Sequence, residues 1–355
     1  MKILPTGVSR LLNSLNFYAS VWRCRGYCAP EEVDFKPTLK CNLKCKMCFQ
    51  RKLSEDYRRK MYKSELSTER YLSLIEELAS MGTRRIHVVG GGEPLIRKDI
   101  LDIMASIKRY GMEGVLTTNG TLFNENMIRK IIELDWDIAM FSIDGPDAEI
   151  YEDIRGVTGI FEKVYSAMKT FSRVKAEYDV CKPLLHIHCV ILGLNFMVID
   201  EMIELAHDVG ANIVTFDKYF PEYEELILRK EDLPITLKNL QKAYEKAQRY
   251  GIYINVEDFL SLWLKPSPNT RCYWPWLYSD IDPNGDVLPC CFSQDVMGNI
   301  KRHSFKQIWD GEKYNELRKR FKKLDFPDFC EECTLYPGLI NRIPLGKVLH
   351  SLRLA

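Results

Sequence analysis

From residue 33 onward the chain alternates short apolar, β-rich runs with longer amphipathic segments, and that rhythm leaves few folds open. Strand candidates fall at 33–39, 85–89, 114–118, 137–142, 184–192 and 212–216, with helices between them near 68–81, 99–109, 125–134, 161–175 and 198–209. Repeated βα units of this kind close a mostly parallel sheet. The α/β reading is a partial (β/α)6 TIM-like barrel. Six units instead of eight leave one side open, where a substrate can enter. A polar stretch, 222–234, and a helix at 237–250 then lead into a region from Arg271 rich in Cys, Trp, Pro and Gly. The domain reading is an N-terminal amphipathic extension (1–30), the partial barrel (31–235), a linker helix with a small hairpin-plus-helix unit (236–340) and an apolar tail (341–355).

Three of the twelve cysteines, Cys41, Cys45 and Cys48, lie within eight residues just after the first strand candidate, at the end of a barrel where catalytic loops sit. Structural zinc takes a closed set of four ligands, and a cubane on four cysteines has no vacant iron. Three thiolates leave one iron of a 4Fe-4S cluster open to a small molecule. A zinc site completed by a distant His, or buried inert thiols, are the alternatives. A second group, Cys272, Cys290, Cys330 and Cys333, has seventeen residues between its first pair and two between its last. The turn Asp282-Pro-Asn-Gly285 predicts a hairpin of 276–281 with 286–288 that returns Cys290 towards Cys272. Cys291 competes with Cys290, and a four-cysteine zinc ribbon remains open.

The Cys41, Cys45 and Cys48 spacing resembles the cluster motif of the radical S-adenosylmethionine superfamily, and later residues extend the resemblance in order. Gly91-Gly92-Glu93-Pro94 is similar to the family's GGEP element, which receives the methionine amino group. Ser142, Asp144 and, downstream, Arg155 resemble positions that contact the methionine carboxylate or ribose. Met47 stands where an aromatic often meets adenine, and Asn119 and Leu192 stand among the family's cofactor neighbours. Taken singly, Gly90 to Pro94 is a turn, Ser142 and Asp144 are a helix cap or turn, and Arg155 is a surface salt bridge. The tail resembles SPASM and twitch extensions that carry auxiliary 4Fe-4S clusters. It has five cysteines where the complete pattern has seven, so the resemblance implies one auxiliary cluster. Its spacing is similar to that of the aminocyclitol dehydrogenase of butirosin biosynthesis.

The implied cofactors are two 4Fe-4S clusters and S-adenosyl-L-methionine, and the implied electron donor is a flavodoxin or ferredoxin. The implied reaction is hydrogen abstraction from a small alcohol or sugar-like substrate, oxidised with the auxiliary cluster as acceptor. A peptide-modifying maturase and a non-catalytic iron-sulfur or zinc protein are the rivals. Fifty Lys and Arg against 49 Asp and Glu give no electrostatic case for nucleic acid. Without an apolar signal core followed by a cleavage site, the reading is a reducing cytoplasm with metal-bound thiolates. Apolar tails, Leu11, Leu12, Leu15, Phe17, Tyr18, Val21 and Trp22 at one end and Leu345, Val348, Leu349, Leu352 and Leu354 at the other, allow membrane-surface contact. Packing against the barrel or another subunit is the preferred reading. Cys24 and Cys28 read as spare thiols and Cys181 and Cys189 as packing residues; one face of the strand that carries His186 and His188 points into the barrel, where one His could meet substrate, and a hydrogen-bonded core His is the preferred reading.

Overall fold

The computed structural model describes residues 19–219, 223–256, 272–330 and 333. Six strands, β1 (Glu32–Phe35), β2 (Arg85–Val88), β3 (Glu113–Thr118), β4 (Ile138–Ser142), β5 (Leu184–Ile191) and β6 (Ile213–Lys218), lie side by side in chain order and run parallel. Every predicted strand is present. The first is the most altered: it ends at Phe35, because Pro37 offers no N–H to a ladder and the chain turns there into the cysteine loop.

Helices Thr68–Met81, Ile100–Arg109, Glu125–Glu133, Phe161–Tyr178 and Glu201–Val209 return the chain between strands. Side chains of Ser67 and Asn124 accept the N–H groups of Arg70 and Met127, satisfying donors that a helix start otherwise leaves unpaired. Leu74, Ile103 and Ile131 from these helices bury against Phe35, Val88 and Phe141 on the outer face of the sheet. Two helices escaped prediction, Glu55–Lys63 and Ala148–Arg155. The first buries only Met61, so it has almost no apolar stripe to read. Helix Leu233–Tyr250 starts earlier than expected, with Pro234 in its first turn where a missing N–H costs nothing.

The sheet does not stop at six strands. β7 (Tyr253–Ile254) adds in parallel to β6, and β8 (Tyr278–Ile281), β9 (Asp286–Leu288) and β10 (Gly298–Asn299) add beyond β1, giving the order β10-β9-β8-β1-β2-β3-β4-β5-β6-β7. β8 pairs in parallel with β1 and antiparallel with β9. The expected hairpin therefore exists, but it is hydrogen-bonded into the barrel sheet. Its first strand begins at Tyr278, since Trp274–Leu277 forms a helical turn. Gly285, at φ +88°, closes the turn by donating its N–H to the Asp282 carbonyl. Helices Phe305–Trp309 and Glu312–Lys322 cover this edge, with Trp309 and Tyr314 fully buried.

Strand residues alternate between the helix-covered face and the barrel interior. The interior face is unusually polar: Asp34, His87, Thr117, His186, His188 and Asp217 all belong to it. Among the described residues, no helix is long and apolar enough to cross a membrane. Val21 packs beside Trp276, Leu317 and Phe321, while Trp22 is exposed. The remaining tail residues named above, together with Glu222 and Arg271, lie outside the described residues.

Candidate functional site

The loop after β1 carries Cys41, Cys45 and Cys48 and is bolted to the end of helix Ala148–Arg155. Lys46 N donates to the Ile154 carbonyl at 2.8 Å and Lys44 N to that of Arg155 at 3.3 Å. Gly156 permits this approach: a Cβ there would lie 2.5 Å from the Lys44 oxygen. Burial pushes the Cys41 thiol up to about 11, and the charges of Cys45, Glu93 and Cys48 push the same way. The Cys41 thiol thus resists ionising beside its two neighbours. An iron cluster removes that repulsion by binding the thiolates.

Gly91, Gly92, Glu93 and Pro94 press against the near side of this loop. Gly92 N donates to the Thr38 carbonyl at 2.8 Å and Glu93 N to that of Lys40 at 2.7 Å. A Cβ on Gly92 would fall 2.1 Å from the Lys40 oxygen, so the glycine is required by the loop's own backbone. Glu93 is buried, and its carboxylate accepts from Thr118 Oγ1 at 2.7 Å, Asn119 N at 2.8 Å and Leu95 N at 3.1 Å. Burial pushes this carboxyl up, against the pull of those hydrogen bonds and of Arg155. Pro94 opens the helical turn Pro94–Ile96. Asn119 Nδ2 reaches back to Asn42 Oδ1 at 3.0 Å, tying the end of β3 to the cysteine loop.

On the far side, Arg155 is no surface residue. Its Nη2 lies 2.6 Å from Asp144 Oδ2 and donates to the Ser142 carbonyl at 2.5 Å, while Nη1 donates to the Cys45 sulfur at 3.7 Å. Arg155 and Asp144 are both buried, and Asp144 also accepts from Val190 N at 2.8 Å. Neither Ser142 nor Asp144 caps the following helix, a task taken by Asp147. Met47 packs into the same small apolar cluster as Leu192, with Ile154, Tyr219 and Leu226. All the first-set residues are therefore gathered around one loop. Arg155 Nε is buried and without a hydrogen bond, free to meet an incoming carboxylate.

Cys272, Cys290, Cys330 and Cys333 line one cavity with Trp274, Phe292, Phe321 and Phe329. Burial pushes the Cys272 and Cys330 thiols up, the latter to about 12, and the other cysteines of the set add to it. Cys290 is held below its ordinary value, first by a hydrogen bond from Cys291. Cys290 lines the cavity and Cys291 does not. Four sulfurs in an apolar, aromatic-walled cavity suit a closed cluster.

Sequence reasoning missed several polar groups. Gln50 Nε2 donates to the Gly91 and Leu39 carbonyls, joining the glycine turn to the loop. Asp34, Tyr278 and Asp280 lie on the interior face of β1 and β8. Burial and the charges of Asp34 and Asp282 push Asp280 up to about 7 despite Lys36. The available signal was the acidic residues at alternate positions of Glu32–Phe35. His186 is a core residue, its Nε2 2.7 Å from Thr215 Oγ1, whereas His188 is about a quarter exposed and its Nε2 lies 2.8 Å from Asp217 Oδ2. Cys189 packs in the core as expected; Cys181 is exposed, contrary to the packing role read for it.

Residues 35–209 match the Radical SAM superfamily, and residues 272–334 match SPASM, an iron-sulfur cluster-binding domain. The AdoMet-dependent heme synthase of Methanosarcina barkeri is 26% identical over 317 residues, covering 82% of this chain and 85% of that protein. The PqqA peptide cyclase of Granulibacter bethesdensis is 24% identical over 309 residues, covering 83% and 77%. Streptococcus suis SuiB bound to precursor peptide SuiA has the same fold, with a TM-score of 0.67 at 17% identity over 95% of this chain and 76% of that one. S-adenosylmethionine and two 4Fe-4S clusters are the cofactors of this domain pair, and the sulfur sets described above fit them. The chain belongs to the radical S-adenosylmethionine superfamily, as an enzyme whose partial barrel is followed by a SPASM domain.

Proposed function

We propose that Cys41, Cys45 and Cys48 hold the cluster at which S-adenosylmethionine is reductively cleaved, and that the enzyme oxidises a small alcohol or sugar-like substrate. Cys272, Cys290, Cys330 and Cys333 hold the auxiliary cluster in this reading. The observation that carries it is the gathering of the three thiols, the Gly91–Gly92 turn and buried Arg155 around one loop. When bound, the first cluster and S-adenosylmethionine supply a 5′-deoxyadenosyl radical that takes hydrogen from an unactivated carbon.

The chain's own residues bind and orient. Arg155 offers its free Nε to the methionine carboxylate, with Asp144 holding the guanidinium in place and Ser142 beside it. Glu93 accepts the methionine amino group on a remaining lone pair while its other bonds keep the turn closed. Met47 and Leu192 form an apolar wall for adenine, and Asn119 stays with the glycine turn through Glu93 and Asn42. Four protein thiolates leave the auxiliary cluster no open iron, which supports a role in accepting the substrate's electron. A flavodoxin or ferredoxin in a reducing cytoplasm suits both centres.

Anaerobic reconstitution with dithionite and S-adenosylmethionine tests the reading. It expects 5′-deoxyadenosine and about eight iron atoms per chain, four for each cluster. A fully iron-loaded sample that makes no 5′-deoxyadenosine would sink it. Peptide modification is the second reading, favoured by the PqqA peptide cyclase and by the SuiB complex with SuiA. A product two hydrogens lighter separates them by mass spectrometry, according to whether the hydrogens leave an alcohol or a peptide.

A further inference from the structure

The interior wall between the two cysteine sets carries polar atoms for which the cofactors provide no partner. β1 and β8 pair so that Asp34 stands opposite Asp280, and Glu32 opposite Tyr278. β1 runs on towards Cys41, whereas β9 turns back, so that Cys290 lies towards the Tyr278 end of the pair. Asp34 and Asp280 therefore sit between the two sets. Asp34, Tyr278 and Asp280 are 8%, 4% and 0% exposed. Asp34 Oδ1, Tyr278 Oη and Asp280 Oδ1 have no hydrogen bond, while Asp280 Oδ2 has the Lys36 ammonium at 2.6 Å. Buried polar atoms in native proteins are nearly always hydrogen-bonded, so several orphans on one patch point to a missing ligand.

Charge on the wall is also out of balance. Lys36 Nζ is shared between Asp280 at 2.6 Å and Asp282 at 3.2 Å, and Arg85 is shared between Glu32 at 3.0 Å and Glu113 at 2.9 Å. Among the described residues no Lys or Arg ion pair reaches Asp34, which has His87 Nδ1 at 3.5 Å. The patch offers acceptors in excess and negative charge in excess. A divalent cation on Glu32, Asp34 and His87, whose ligand atoms lie within 4.8 Å of one another, is opposed by the Arg85 guanidinium already on Glu32. An ammonium group brings one positive charge and three donors, and so matches both deficits.

We propose that Asp34 and Asp280 bind the ammonium group of an amino sugar or amino alcohol whose neighbouring hydroxyl meets Tyr278. Calling this ligand the substrate rests on the oxidation reading above; its binding does not. The site is then the place where a C–H bond beside the hydroxyl is held between the two iron-sulfur centres. Glucosamine is the probe, with glucose and glucuronate as the neutral and acidic comparisons.

Calorimetric titration of the anaerobically reconstituted full chain, with S-adenosylmethionine bound, should show glucosamine binding more tightly than about 10 mM. Glucose should bind about tenfold more weakly, the loss of one charge-assisted contact, and glucuronate should not register. Asp34→Asn and Asp280→Asn should each weaken glucosamine about tenfold or more while iron content and S-adenosylmethionine affinity stay unchanged. Tyr278→Phe, which deletes only a hydroxyl, covers the case in which an Asp variant fails to fold, and should weaken glucosamine severalfold. Equal binding of glucosamine and glucuronate, no binding of glucosamine, or full binding in the variants overturns the proposal, as does a Gly-Lys-Gly peptide that binds equally well. Glucosamine binding without 5′-deoxyadenosine formation leaves this site standing and removes the catalytic reading instead.

Discussion

Arg155 directs its guanidinium at protein atoms on two sides, Asp144 with the Ser142 carbonyl on one and the Cys45 sulfur on the other. Removing a partner from a buried ion pair strands a charge at a cost of about 3–5 kcal/mol. Asp144→Asn should therefore lower stability by that order in anaerobic denaturant titrations and weaken S-adenosylmethionine binding, whereas Ser142→Ala keeps the carbonyl that Arg155 uses and should leave stability nearly unchanged. Equal stabilities for Asp144→Asn and the parent would show the pair to be incidental. His188 makes a second test. Burial alone would depress its imidazole, but the hydrogen bond and charge of Asp217, then the charge of Asp144, raise it above 6.5, with Arg155 opposing. Its stabilising contribution is thus fully present below 6.5 and fades as pH rises through the raised folded value. NMR titration should find this ring above its ordinary value, and Asp217→Asn should bring it down; an unmoved midpoint would reject the pairing. The sequence marked Arg155 through the order of its motifs. It could not show that the partner was buried Asp144, because that pair closes only when helix Ala148–Arg155 packs beside the strand end.

At the scale of elements, apolar runs were sufficient to locate strands β1 to β6 and the five helices between them, since each buries one face against the same core. Ends were harder, because partners decide them. β1 stops where Pro37 and the cysteine loop begin, and the predicted strand at 276–281 surrenders its first two residues to the helical turn Trp274–Leu277. The glycine turn shows the same dependence: the sequence marks a turn at Gly91-Gly92, and the structure fills the space at Gly92 with the Lys40 carbonyl. Gly92→Ala should force the turn and the loop apart, at about 1–3 kcal/mol for overpacking. The measurable outcome is weaker S-adenosylmethionine binding with iron content retained. Unaltered binding would mean that the loop yields without consequence.

Across the whole molecule, the four-cysteine unit and the barrel share one sheet. β8 covers the edge of β1, the strand that leads into the first cysteine loop. A chain ending before Cys272 would expose that edge, with its unpaired backbone groups and the Lys36 site that Asp280 and Asp282 now neutralise. Such a truncation should lose iron from both centres, falling well below the about four atoms that an independent first cluster would keep. A soluble truncated chain with four iron atoms and intact 5′-deoxyadenosine formation would show that the barrel stands alone.

Local chemistry is written along the chain, so the sequence by itself determined the βα rhythm, the two cysteine sets, and the order of glycine, serine and arginine positions that identify the cofactor. Tertiary structure alone decided what depends on residues far apart in the chain. It brought β8 onto β1, chose Cys290 over Cys291 for the cavity, separated core His186 from open His188, and set Asp34 opposite Asp280 across a strand pair. Parallel pairing between segments some 250 residues apart has no local signature, and the polar interior it creates becomes visible only when the register of the sheet is known.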